Sequence, residues 1–348
     1  MTTLDFTQIV LQQLITHHVG NKLRDEKYIL SNESTTIEDE TQKFLLKYFL
    51  LPVKAEEFYS FTHPVKLELN DIYSVVENVF SNQHLFIPSS QNIAKLLYEQ
   101  SMHPKIREGE LNIAYFSNVV LIDEVVDAIG IFKSETNVPF IKMKNNNSKF
   151  NINHDFGFEI KGMDKGCIIF NTNKQDGYKI LIIDNTNKTA EAQYWKDDFL
   201  KVKPIANEFY QTSQFLGIAK NFITKVLPQQ FETTKADQID LLNKSVQFFK
   251  EKDNFDIQEF ASEVISQPEI IESFNRFKQK YKQEQNIELS DQFIISDSAV
   301  KKQTRVFKSV IKLDKNFHIY IHGNHQLIEQ GVDEEGRKFY KIYYQTEY

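Results

Sequence analysis

Short runs of β-favouring residues in the middle of the chain constrain its fold more than any other feature. The runs occupy 111–116, 128–132, 140–143, 167–170 and 178–183. Clusters rich in Asn, Gly and Asp separate them, notably at 144–148 and 171–177. Short strands joined by short turns are typical of an antiparallel meander. Because no regular alternation of helix and strand accompanies the runs, the pattern argues against a doubly wound parallel sheet.

Helical patterns precede the predicted sheet. Residues 5–19 have apolar spacing that fits either an amphipathic helix or an early strand. Thr35 and Glu38 have the spacing of a capping box, and Pro52 would end the helix that follows.

Two further helices are predicted before the sheet. The first covers 70–81, and the second covers 89–101 with Ser89 or Ser90 as its N-cap. The N-terminal part of the chain therefore combines helices with an antiparallel sheet.

The chain becomes helical again beyond Trp195. Pro204 is predicted to lie at the start of a helix that ends at Pro228. More helices are predicted at 236–251, 255–264 and 268–285. We predict an α+β fold with two domains, 1–202 and 203–348, the second a helical segment that ends in a β-hairpin.

Composition limits the classes of function. The chain has 348 residues, a net charge of −7 and one cysteine. One cysteine excludes an intramolecular disulfide framework, and Cys167 reads as a buried strand residue. No signal-peptide pattern opens the sequence and no apolar run approaches a membrane span, so we expect a cytoplasmic protein without membrane contact.

The last fifty residues carry the main functional signal. A basic run contains Lys301, Lys302, Arg305 and Lys308, and Lys312 and Lys315 follow. If 298–308 is helical, residues 301, 305 and 308 share one face and could follow a row of phosphates. Strands of period two are predicted at 317–323 and 337–344. A solvated helix followed by an ordinary hairpin explains the same pattern.

Several segments resemble a bacterial nucleoid-associated protein family of the NdpA type. The resemblance is carried by 307–323 and 333–344, and also by 6–15, 109–116 with 128–134, and 194–222. It runs nearly from end to end but contains no short active-site signature. It implies a cytoplasmic protein found with the bacterial chromosome and thought to bind DNA. No compact set of DNA-contacting residues carries over from the family.

A second basic group lies in the predicted helix at 268–285. Its members are Arg276, Lys278, Lys280 and Lys282. Phe274, Phe277 and Tyr281 would form the buried stripe of this helix, with the four charges fanned around its outer face. Such charges could contact DNA or simply keep the helix solvated.

Signatures of catalysis and cofactor binding are absent from the sequence. It contains no phosphate-binding loop, no dinucleotide-binding glycine motif and no nucleophile elbow. His318, His322 and His325 cluster in sequence, but four residues of straight strand separate the first two by about 13 Å, too far for one Zn²⁺. We expect no metal, no cofactor and no catalytic activity.

Three hypotheses follow from the sequence. The first is a non-catalytic protein that binds double-stranded DNA through phosphates, largely independently of base sequence. The second is a protein-interaction module recruited to the nucleoid by a DNA-handling partner. The third is a metal-dependent nuclease using Asp123, Glu124 and Asp127. Self-association would suit an architectural role, but no heptad pattern predicts it.

Overall fold

The chain folds into two compact units, Met1–Ile205 and Ala206–Tyr348. Both combine helices with antiparallel strands, which confirms the predicted α+β class. Our computed structural model describes residues 4–122, 124–147, 149–185, 194–285, 287–304, 307, 310–313, 316–320 and 327–347.

One antiparallel sheet organises the first unit. The strands described in this unit are β1 (Leu4–Asp5), β2 (Val10–Val19), β3 (Tyr28–Ile29), β4 (Phe58–Phe61), β5 (Gly109–Leu121), β6 (Glu124–Ser134), β7 (Val138–Asn146), β8 (Lys149–Gly157), β9 (Lys165–Phe170), β10 (Lys179–Asp184) and β11 (Val202–Pro204). The sheet order is β11-β4-β10-β9-β6-β5-β2-β3, and β1 also pairs with β5. Strands β7 and β8 pair only with each other among the described strands.

Helices cover both faces of this sheet. They are α1 (Asp39–Leu50), α2 (Asp71–Ser81) and α3 (Phe86–Gln100). Ile113 and Ile131 belong to the core that includes α2 and α3, whereas Ala114 and Phe132 belong to the core that includes Phe49 of α1. Because successive strand residues point to opposite faces, both faces must be apolar. This explains why the strands read as continuous β-rich runs.

Short helical turns complete the first unit. Turns of 3₁₀ type occupy Lys22–Arg24, Leu67–Leu69, Gln83–Leu85 and Lys174–Asp176, and a π-helical turn covers Tyr194–Leu200. Gly177 has φ +91°, and a Cβ there would lie 2.4 Å from the Phe61 carbonyl oxygen. The close approach of β4 to this turn therefore requires glycine.

The helices predicted in the first unit are present, but the predictions of their capping residues are wrong. Helix α1 begins after Glu38, which makes no side-chain capping hydrogen bond. The backbone N–H of Thr35 instead donates to the Leu14 carbonyl at 2.7 Å. Ser89 and Ser90 lie inside α3 and are buried, and the Ser90 hydroxyl donates to the Ile87 carbonyl at 2.7 Å. Packing onto the sheet starts α3 earlier than the local serine signal indicates.

The prediction that Pro204 starts a helix is also wrong. Val202, Lys203 and Pro204 form the edge strand β11, in which Pro204 pairs with Tyr59 of β4. An edge position tolerates a residue that lacks a backbone donor. The helix begins at Glu208, where the Asn207 side chain accepts from the Tyr210 backbone N–H at 2.9 Å.

The second unit is mainly helical. Its helices are α4 (Glu208–Asn221), α5 (Leu227–Gln230), α6 (Lys235–Glu251), α7 (Ile257–Phe260), α8 (Pro268–Glu284) and α9 (Asp297–Thr304). Phe222–Val226 and Ala261–Ile265 are π-helical turns. A short antiparallel pair joins β12 (Asn254–Asp256) to β13 (Gln292–Ile294). The helix predicted at 255–264 therefore begins later, at Ile257, because Asn254–Asp256 form a strand.

Phenylalanines fill the core of this unit. Phe215 is fully buried, and five rings have centroids between 4.1 and 6.3 Å from its own: Phe249, Phe255, Phe260, Phe274 and Phe293. Such clusters combine a large buried apolar area with favourable edge and offset ring contacts. The high phenylalanine content is therefore explained by packing.

Two hairpins are described at the C-terminus. The first pairs β14 (Val310–Leu313) with β15 (Phe317–Tyr320), and the second pairs β16 (Ile328–Val332) with β17 (Lys338–Ile342). The two strands predicted from sequence correspond to β15 and β17, which pair with β14 and β16 and not with each other. No helix in the described ranges is both long and apolar enough to cross a membrane.

Candidate nucleic-acid interface

Helix α9 presents two lysines of the basic run. Its start is fixed by Ser296, whose backbone N–H donates to the Thr212 hydroxyl at 3.0 Å. Ala299 and Val300 are buried within the second unit, whereas Lys301 and Lys302 are exposed. Two buried apolar residues therefore anchor a short helix whose next two positions extend into solvent.

The two lysines have different surroundings. The ammonium of Lys302 lies 4.9 Å from the centroid of the Phe209 ring, within cation–π range. Lys301 has no ion-pair partner within the part of the chain that the structure describes. Arg305 and Lys308, predicted to continue this face, lie outside the described residues, as does Lys315.

Hairpin β14–β15 carries Lys312, a further exposed lysine near the basic run. Ile311 is buried and packs with Ile319 in a small core that includes Ile239 of α6. Lys312 is paired in register with His318 on the opposite face, and both side chains are exposed. The alternation of the strand thus directs the apolar residues to the core and Lys312 to solvent.

Local charge distinguishes this part of an acidic chain. Residues 206–348 contain 19 basic and 21 acidic residues, a net charge of −2. Within them, residues 297–320 contain six basic and two acidic residues, a net charge of +4. We call residues 297–320 the basic segment. A local excess of this kind can attract phosphates even when the whole protein is anionic.

The second basic group on α8 does not form one surface. Lys278 is 4% exposed, and its ammonium lies 2.7 Å from the Asp291 carboxylate. The expectation that all four charges fan around the outer face is therefore wrong for Lys278. It replaces a solvent contact with an ion pair that ties α8 to the segment before β13.

The remaining charges of α8 are balanced by neighbouring groups. Arg276 pairs with Glu272 at 3.1 Å, and Lys280 lies 3.6 Å from Glu284. These four residues follow one another at four-residue steps along one exposed helix face, which carries no net charge. Lys282 donates to the Leu289 carbonyl at 2.9 Å. Acidic neighbours therefore offset the positive charge of Arg276 and Lys280 on the α8 surface.

Hairpin β16–β17 adds an aromatic–cation contact made by Lys341, which also faces Glu329 across the strand pair. Lys341 lies 4.8 Å from the centroid of Tyr343, and its interaction with Tyr343 raises the pKa of this lysine. Arg337, by contrast, pairs with Asp333 at 2.7 Å and with Glu335 at 3.1 Å. Among the described cations of this hairpin, Arg337 and Lys341 thus have acidic neighbours, and Lys338 is exposed.

The groups suggested for metal chemistry are dispersed or lie outside the described residues. His322, His325 and Asp123 are outside them. The Tyr115 hydroxyl donates to the Asp127 carboxylate at 2.6 Å, and the Thr172 hydroxyl lies 3.3 Å from Glu124. Across the described ranges, no three His, Cys, Asp or Glu side chains lie close enough together to hold a metal ion.

A buried charge cluster in the first unit has a structural explanation. The Lys133 ammonium donates to the Arg107 carbonyl at 2.6 Å and lies 3.0 Å from Glu135, while burial lowers its pKa. Asp164 accepts the backbone N–H groups of Glu135 and Thr136 at 2.6 and 3.0 Å. These contacts connect the ends of β6 and β9.

Cys167 is confirmed as a buried strand residue. It is 0% exposed in β9, and burial raises the pKa of its thiol. A protonated, inaccessible thiol is a poor nucleophile.

A surface that the sequence did not reveal lies on hairpin β7–β8. Residues 140–143 were predicted as a strand, but β8 was not, because its Asn and His residues resemble a loop. The period-two spacing of Phe150 and Ile152 was the available signal.

Comparison with known families agrees with the resemblance seen in the sequence. The family model described as nucleoid-associated protein YejK matches residues 12–336, which is most of the chain. No curated protein matches the chain significantly.

Proposed function

The chain belongs to the bacterial nucleoid-associated protein family, and from this membership we propose that it binds double-stranded DNA directly through the basic segment. The binding is non-catalytic and takes place at the nucleoid in the cytoplasm. Lys301, Lys302 and Lys312 contact phosphates, together with Arg305 and Lys308.

The observation that carries this proposal is the local charge excess on a fixed scaffold. The buried residues Ala299, Val300 and Ile311 hold the exposed lysines at the surface. Pre-positioned lysines lose less conformational freedom on binding than lysines on an unstructured tail. The α8 charges are weaker candidates for phosphate contact, because acidic neighbours already balance them.

Recognition is expected to depend little on base sequence. Lysine contacts to phosphate oxygens fix the position of a protein on DNA but carry no base code. Each phosphate contact releases counterions, so affinity should fall steeply with salt concentration.

A pair of matched variants tests where DNA binds. Lys301→Gln/Lys302→Gln and Arg276→Gln/Lys280→Gln each remove two positive charges, so they change net charge equally. We expect the first to weaken binding of a fluorescent duplex about tenfold or more at low salt. The second should change it less than threefold, because Glu272 and Glu284 already offset those charges.

The same titrations can contradict the proposal. Equal losses in both variants would show that net charge, and not the basic segment, controls binding. A greater loss in the α8 variant would move the site to α8. Circular dichroism of each variant checks that the fold is retained.

Recruitment by a protein partner is the second candidate function. Exposed aromatic side chains on and beside β17 favour it, because such residues commonly anchor protein interfaces. They are Phe339, Tyr343 and Tyr344, exposed by 43%, 40% and 70%. An intact protein that fails to bind DNA at low salt would support this alternative against direct binding.

The non-catalytic part of the proposal has its own test. Supercoiled plasmid incubated with the protein and Mg²⁺ or Mn²⁺ should remain intact. Cleavage that disappears in a Glu124→Ala/Asp127→Ala variant would establish a nuclease instead.

A further inference from the structure

Hairpin β7–β8 is an arm separate from the main sheet of the first unit. Its strands are nine residues each and pair in continuous register from Val138 with Gly157 to Asn146 with Lys149. Nine strand residues span about 30 Å. An isolated two-stranded hairpin is at best marginally stable in water, so an arm of this length needs a partner surface.

The two faces of the arm have opposite character. Residues that alternate along both strands place five large apolar side chains on one face, with exposures of 61–67%: Ile141, Met143, Phe150, Ile152 and Phe156. Asn145 and His154 are the polar members of this face. The opposite face carries Lys142, Lys144, Asn151, Asn153 and Asp155, and Lys142 pairs with Asp155. Phe140 shares this face, and the Lys142 ammonium lies over its ring.

The apolar face is larger than a monomer normally exposes. From typical side-chain areas, its five apolar residues expose on the order of 500 Å² in one chain. Contiguous apolar patches beyond a few hundred Å² usually mark an interaction site. Two such faces packed together would bury about 1,000 Å², the lower bound for a specific interface.

We propose that this apolar face packs against the same face of a second copy of the chain, forming a symmetric dimer. A two-fold axis near the cross-strand pair Met143–Ile152 would place apolar side chains of both arms against each other. Lys142, Lys144 and Asp155 would then point away from the interface on both copies, so no charge is buried. The face is thus self-complementary, because the apolar side chains of one copy meet those of the other and the charged side chains of both stay outside.

Dimerisation would have a consequence for nucleic-acid binding if that function holds. Two basic segments in one particle bind DNA with higher avidity than one. The dimer itself is independent of DNA binding, because the arm lies in the first unit and the basic segment in the second.

The test measures the mass of the full-length protein by analytical ultracentrifugation over a range of concentrations. We expect about twice the chain mass of 40.9 kDa at high concentration, falling toward one chain on dilution. Met143→Glu/Ile152→Glu should be monomeric throughout. Asn151→Glu/Asn153→Glu adds the same charge to the same arm on its opposite face and should remain dimeric.

A cysteine pair locates the interface independently of folding effects. Ile152→Cys should form a disulfide-linked dimer under mild oxidation, whereas Asn153→Cys should not, and the native Cys167 is buried and does not interfere. A wild-type protein that is monomeric at every concentration would overturn the proposal. So would a dimer that persists in Met143→Glu/Ile152→Glu or one cross-linked equally by both cysteine variants.

Discussion

At the scale of single residues, His17 shows how burial selects a charge state. Its side chain is 2% exposed, and its Nδ1 accepts the Ser31 backbone N–H at 3.1 Å. Its Nε2 must then carry the proton donated to the Ser90 hydroxyl, 3.0 Å away. The folded state therefore holds a neutral imidazole, and burial lowers its pKa from 6.5 to about 4.

This residue predicts a loss of stability in weak acid. As pH falls below 6.5 the unfolded chain takes up a proton that folded His17 refuses until about pH 4. The contribution of His17 to stability should therefore fall by about 3 kcal/mol across this window and no further below it. Urea unfolding at several pH values should show a flatter dependence in His17→Gln. The exposed control His84→Gln should keep the wild-type slope, and equal slopes in all three proteins would contradict the assignment.

Lys278 shows why charge on a helix is not equivalent to a binding surface. Loss of its ion pair removes the contact between a buried ammonium and the Asp291 carboxylate, whose side chain is 60% exposed. We expect Lys278→Gln to lower the free energy of unfolding by about 1–3 kcal/mol while DNA affinity stays unchanged. Lys280→Gln, on the exposed face, should cost less than about 0.5 kcal/mol. Weaker DNA binding by a stably folded Lys278→Gln protein would contradict this structural role.

At the scale of secondary-structure elements, Asn70 both caps α2 and joins it to the end of the first unit. Its side-chain oxygen accepts from Tyr73, and its amide lies 3.0–3.1 Å from the carbonyl oxygens of Thr62, Leu200 and Lys201. A single buried amide thus satisfies three separate segments.

Asn70 should therefore contribute more to the free energy of unfolding than an ordinary helix cap. We expect Asn70→Ala to destabilise the protein by about 2–4 kcal/mol, since it removes a cap and the amide donors to the Thr62, Leu200 and Lys201 carbonyls, of which the Leu200 contact is buried. Asn82→Ala, at an exposed cap of the following 3₁₀ turn, should cost about 1 kcal/mol or less. Thermal unfolding of the two variants measures the difference, and equal losses would argue against the joining role.

Sequence patterns predicted elements better than their ends. The period of 3.6 located α2, α6 and α8 because each buries one face on its own unit. Serine and proline signals failed at Ser89, Ser90 and Pro204, where tertiary packing decided the boundaries. The pattern of residues 5–19 is ambiguous between helix and strand, because the pairing of Val10–Val19 with β5 is a long-range contact.

Long-range contacts also limit how well the surroundings of the candidate binding residues can be predicted from sequence. Lys301 and Lys302 could be placed on a surface from local sequence alone, but the burial of Lys278 depends on Asp291, thirteen residues away. The arm β7–β8 escaped prediction because only strand pairing reveals that its apolar residues share a face.

At the scale of the whole molecule, an acidic chain carries a local basic segment. Residues 1–205 contain 22 basic and 27 acidic residues, so both units are acidic overall. Under the proposed function, acidic charge elsewhere would repel DNA and limit contact to the basic segment. The same distribution would keep the complex sensitive to salt.

The salt dependence of DNA binding tests this account most directly. Fluorescence anisotropy of the intact protein on a duplex should give a linear plot of log K against log salt concentration. If Lys301, Lys302, Lys312, Arg305 and Lys308 each meet one phosphate, the slope is about −4 to −5. Binding that is absent at low salt, or a slope near zero, would contradict direct phosphate contact by the basic segment.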